Sequence, residues 1–217
     1  MRRISRRMPR TTNATAPSAC APICGDGMPQ AGELCLQPGV DAPAGLGPID
    51  VGTGDLDGDG LVDVVTLDAE ALEVGVLPGN GDGTLGAPGT GSAVTGIPAG
   101  LEVDDFTGDG ELDAAVLDTA TDAVLLLVGE GTGMFMAPLA TPTGAGVVDM
   151  VASDFDAAAP RDLGVLNAGA NTLQLLFGDA GGFVAGPTAN VAATIDDAVA
   201  SGSLNPGGER SIGAQRL

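Results

Sequence analysis

The feature that most limits what this chain can fold into is an internal period of close to 50 residues. An acidic stretch opens each period: Asp55 to Asp105 is 50 residues, Asp105 to Asp154 is 49, and Asp154 to Ser203 is 49. A second landmark keeps step with the first. From the last aspartate of each loop to a proline is 25 residues three times, at Asp63 to Pro88, Asp113 to Pro138 and Asp162 to Pro187. A chain with this self-similarity repeats one supersecondary unit and buries its core between neighbouring copies of that unit.

Each period reads alike. A half-apolar lead-in ("PIDVGTG", "GLEVD", "VVDMVAS") runs into the acidic loop, and an apolar run follows ("DVVTLD", "DAAVLD", "DLGVLN"). After a small polar turn comes a third run ("LEVGVLPG", "AVLLLVG", "TLQLLFG"). A glycine-rich turn then leads to a stretch ending in proline ("TLGAP", "MFMAP", "FVAGP"). Valine- and leucine-rich runs of five to seven residues bounded by Gly, Asn and Asp are strands joined as hairpins, and no apolar stripe holds helical spacing for ten residues. The expected fold is all-β: a partial β-propeller of four-stranded antiparallel blades, with three complete repeats and the start of a fourth. Blades are expected at about 47–90, 97–140 and 146–189, with a partial one at 196–217, and residues 1–45 as a low-complexity leader.

Composition removes several chemistries. The chain has no histidine, lysine, tryptophan or tyrosine, so Ser–His and Cys–His catalysis and imidazole-bound metals are excluded. Five of the eight arginines lie in residues 2–10; beyond them three arginines face all twenty-nine acids. Such a body repels nucleic acid and anionic lipid and attracts cations. No apolar run is long enough for a transmembrane helix. Cys20, Cys24 and Cys35 all precede the repeats, and "CGDGMPQAGELC" resembles the opening of cysteine-rich repeats in secreted myxobacterial proteins. The start "MRRISRRMPR" has a basic run but no apolar segment after it, so no export signal is readable.

The acidic loops carry the chemistry. "DLDGDGLVD" places four carboxylates in nine residues with glycines between them, a pattern that can wrap one hard cation such as calcium. An EF-hand needs a glutamate at position 12, where this chain has Thr66. Loop, spacing and the endings Gly79…Gly86-Ala87-Pro88, Gly129…Ala137-Pro138 and Phe177-Gly178…Gly186-Pro187 together resemble the FG-GAP/VCBS repeat, the blade of the integrin alpha-chain propeller. That resemblance covers about residues 47–214 and implies calcium ligands at loop positions 1, 3, 5 and 9, with a carbonyl at 7. The implied first site is Asp55, Asp57, Asp59 and Asp63 with the carbonyl of Leu61. The second is Asp105, Thr107, Asp109 and Asp113 with the carbonyl of Glu111. The third keeps Asp154, Asp156 and Asp162 but has Ala158 at position 5, with Arg161 expected to pair with the loop's carboxylates. The fourth, "SLNPGGERS", lacks the set, so affinity is expected to fall from the first loop to the fourth.

The expected function is a non-enzymatic, calcium-binding propeller segment, extracellular or at the cell surface, acting in adhesion or in protein or glycan binding. The alternatives are an accessory module of a polysaccharide-degrading enzyme, or a piece of a larger propeller. Three and a half blades leave strand edges open, which implies self-association through them.

Overall fold

The computed structural model describes residues 41–190; the cysteine-bearing leader and the expected fourth blade lie outside them. Within these bounds twelve strands form three antiparallel sheets of four, each ordered as a sequential meander. The first blade is β1 (Pro48–Gly54), β2 (Asp63–Asp68), β3 (Glu73–Leu77) and β4 (Ser92–Ala93). The second is β5 (Pro98–Asp104), β6 (Asp113–Asp118), β7 (Ala123–Leu127) and β8 (Leu139–Pro142). The third is β9 (Val147–Ser153), β10 (Asp162–Asn167), β11 (Thr172–Asp179) and β12 (Gly182–Asn190). The described residues contain no helix.

In the first two blades the fourth strand lies beyond the proline, not in the stretch that ends on it. "TLGAP" and "MFMAP" contribute only single bridges, Gly79 to Leu85 and Gly129 to Phe135. The glycine-rich turns explain this. Asn80 N–H donates to Thr84 O and Glu130 N–H to Met134 O, with Gly81, Gly83, Gly131 and Gly133 all left-handed. This wide loop offsets the returning chain, and Pro88 and Pro138 cannot donate to a ladder. In the third blade the turn is tight, Asp179 pairs with Gly182, and β12 runs on through "FVAGP".

Two cores lie between the three sheets, split by the period-two alternation of the middle blade. Ala114 and Val116 of β6, with Leu125 and Leu127 of β7, pack against Val65, Leu67, Val74 and Val76 of the first blade. Their alternates Ala115, Leu117, Val124 and Leu126 pack against Met150, Leu163, Val165 and Leu176 of the third. This is why β6 and β7 are buried at every position. Each buried aliphatic side chain contributes about 1.5–3 kcal/mol. The strands that open the blades, β1, β5 and β9, lie side by side in succession. A Cβ at Gly52 would come within 2.6 Å of Val103 Cγ2, so glycine is what lets β5 approach β1 this closely.

Candidate functional site

The acidic loops join the first and second strands of each blade. Each holds its shape by turning carboxylates onto its own backbone. In the first loop Asp55 accepts from Gly58 N–H (2.9 Å) and Gly60 N–H (3.0 Å), Asp57 from Asp59 N–H (3.1 Å), and Asp59 from Leu61 N–H (2.7 Å). Gly58 and Gly60 are left-handed and have open space around them, so they supply the curvature. The second loop repeats the scheme: Asp105 accepts from Gly108 and Gly110, and Asp109 from Glu111. In the third, Asp154 accepts from Ala157 and Asp156 from Ala158.

These turns bring specific carboxylates together. Among the described residues, oxygens of Asp55, Asp57 and Asp59 lie within 4.8 Å of one another, as do those of Asp154, Asp156 and Asp162. The third loop thus gathers three acids despite lacking one at position 5. Among the described residues the second loop shows no such grouping of three acids, and its Thr107 is buried against Asp113, whose raised pKa the hydroxyl opposes.

The position-9 aspartates do something the loop sequence does not announce. Asp63, Asp113 and Asp162 are all buried; the first two tie their loops to the turn after the third strand, and Asp162 ties its loop to the end of β11. Asp63 accepts from Leu56 N–H (2.9 Å) and Gly79 N–H (2.8 Å). Asp113 accepts from Phe106 (2.9 Å), Thr107 (3.0 Å) and Gly129 (2.8 Å), and Asp162 from Phe155 (2.8 Å) and Gly178 (3.1 Å). Burial pushes the Asp113 carboxyl above the usual range, with the Gly129 and Phe106 N–H groups opposing the shift. The partner glycines Gly79, Gly129 and Gly178 sit so close to the carbonyl oxygens of Val62, Leu112 and Arg161 that a Cβ there would collide with backbone. The constant spacing of 16 residues from aspartate to glycine was a readable signal of this clamp.

Further contacts cross the blade boundaries. Asp50 Oδ2 on β1 accepts from Leu101 N–H on β5 (2.8 Å), and Gly133 N–H donates to Leu56 O (2.9 Å). Asp122, in the turn between β6 and β7, accepts from Gly146 and Val147, which lead into the third blade. Arg161, expected to serve its own loop, pairs through Nε with Asp104 Oδ2 of the second blade at 3.1 Å. Its N–H donates to Asp105 O. Together these residues edge a cleft of about 460 Å³, lined also by Asp154 and Pro160.

Residues 55–116, from the first acidic loop into β6, match the family model of the FG-GAP-like repeat. This segment is similar to that repeat. Its glycine before the closing turn, Gly79, is the residue that the Asp63 clamp requires. Among solved structures, a chain from the crystal structure of BBS1N in complex with ARL6DN, soaked with mercury, superposes with a TM-score of 0.53 at 15% identity. The match covers 73% of this chain and 49% of that one, so this chain spans about half its length. The likeness is one of fold, and it supports a propeller arrangement of the three four-stranded blades. No curated protein matches the chain.

Proposed function

We propose that this chain is a calcium-binding, non-enzymatic β-propeller module working outside the cell or at its surface, in adhesion or in protein or glycan binding. The observation that carries the reading is the grouping of Asp55, Asp57 and Asp59 oxygens within 4.8 Å. Oxygens on opposite sides of one calcium are about 5 Å apart, twice the usual bond length. The donors are hard oxygens, with no imidazole in the chain to favour a softer metal. The ion would neutralise carboxylates that otherwise repel, and so would tie the first and second strands of a blade together.

Calorimetric titration of calcium into the chelator-treated full chain tests this. Binding at about 10⁻⁴–10⁻³ M is expected, as is common for extracellular modules. Asp59→Ala should remove the first-loop heat; absence of heat in the parent, or an unchanged titration in the variant, would sink the assignment. A polysaccharide hydrolase screen with calcium present addresses the non-enzymatic part, where metal-dependent turnover would overturn it.

A further inference from the structure

The repeat makes it possible to ask of each position what its counterparts touch. In the second and third blades, the face turned toward the preceding blade is covered. Leu101 is 7% exposed and Met150 5%, and both belong to the inter-blade cores. Val103 and Ala152, two residues further on, pack against the same cores. Loop position 8 also faces the preceding blade there: Leu112 packs against Gly54, and Arg161 reaches Asp104. The corresponding residues of the first blade are Val51, Thr53 and Val62. Val51 is 62% exposed and Val62 64%, and Thr53 is exposed as well. Three positions that seat a neighbouring blade wherever one is present thus stand open on the first blade.

We propose that this face of the first blade docks a blade of a second copy of this chain. Continuity with the existing interfaces carries the choice of occupant, because among the described residues the open face differs from its counterparts in lacking a neighbouring blade. Residues 1–40, which precede it, contain no repeat, and residues 196–217 carry only the start of one, whereas every copy of the chain carries three complete blades of the matching kind. The contact is head-to-tail, since a face turned toward the preceding blade meets the opposite face of its partner. It uses the broad apolar face of the sheet and leaves the outer strand edges free. With a net charge of −21, two copies repel, so association through this apolar seat strengthens as salt rises.

Sedimentation velocity on the full chain, over a range of concentrations at low and at high salt, tests the proposal. The expected result is concentration-dependent association that tightens with salt. Val62→Asp should weaken it by about tenfold or more, because a charge would be buried without a partner. Val51→Glu should repeat that loss, while Met134→Asp, exposed on a turn of the second blade, leaves association unchanged. Unaltered circular dichroism and melting of these surface variants assign the loss to the interface. A chain that stays monomeric at every concentration and both salt levels would overturn the proposal, whether another protein or the chain's own termini cover the face. Association that both Val62→Asp and Val51→Glu leave intact would overturn it too.

Discussion

Replacing Asp113 by alanine separates the two roles that the acidic loops combine. Three buried N–H groups, from Phe106, Thr107 and Gly129, end on this carboxylate at 2.8–3.0 Å. Each buried donor left without a partner costs about 1–3 kcal/mol. The lower figure applies here, because burial raises the Asp113 pKa and removing the charge returns part of the desolvation cost. Three donors therefore give a loss of about 3 kcal/mol, which lowers the melting midpoint by about 6–12 °C for a chain of this size. The assay is thermal unfolding followed by far-ultraviolet circular dichroism with a chelator present, so no cation contributes. Asp63→Ala, with two donors, should lose about 2 kcal/mol. Asp59→Ala, on the exposed rim, should stay within about 0.5 kcal/mol of the parent. An Asp113→Ala chain melting within about 2 °C of the parent, or an Asp59→Ala chain melting as low as Asp113→Ala, would refute the reasoning.

Gly129→Ala should lose at least about 1–3 kcal/mol in urea unfolding, since the new methyl meets the Leu112 carbonyl and the turn must open to admit it. Glu102 on β5 has its pKa raised by burial and by the charges of Asp50, Asp149 and Asp104, against the opposing N–H of Ala152. A raised carboxyl pKa means the folded state holds the proton longer, so this group's contribution declines as pH rises through the folded pKa. Glu102→Gln should therefore melt above the parent at neutral pH, and the gap should close as pH falls through the folded pKa toward the unfolded value of about 4.3. Leu72 occupies a left-handed turn position (φ 54°) where the other blades carry Asp122 and Asn171. Leu72→Asn should raise stability by about 0.5–1 kcal/mol, read from the urea midpoint.

The repeat and the strand count were legible because every blade restates them in apolar runs bounded by glycine. The fourth strand was not, because its position depends on the path of the preceding turn. "NGDG" and "DAGG" look equivalent as glycine-rich turns, yet one spans Gly79 to Leu85 and the other closes between Asp179 and Gly182. At the loops, the nine-residue pattern marked the carboxylates that gather, but it could not separate the exposed rim from the buried clamp. Asp59 and Asp63 are the same residue type four apart, but Asp63 is buried and accepts from Leu56 N–H and from Gly79 N–H, the latter brought back by a hairpin. Arg161 escaped for a similar reason: its partner Asp104 lies one blade earlier, 57 residues away in the chain.

The clamp also bears on what calcium can contribute. A loop whose carboxylates had no donors would be held apart by their charge, and would fold only around an ion. Here Asp55, Asp57 and Asp59 already accept four backbone N–H groups among them, and Asp63 anchors the loop from beneath. The blade should therefore fold without the ion, and calcium should add to stability by mass action. At about 1 mM calcium and a dissociation constant near 10⁻⁴ M, each site adds about 1.4 kcal/mol. Two sites then raise the midpoint by about 6–12 °C. Chelation should lower the melting temperature by that step while the β-sheet circular dichroism persists at 25 °C. A chain that loses its β signal on chelation, and regains it with calcium, would show instead that the backbone donors cannot hold the loops unaided.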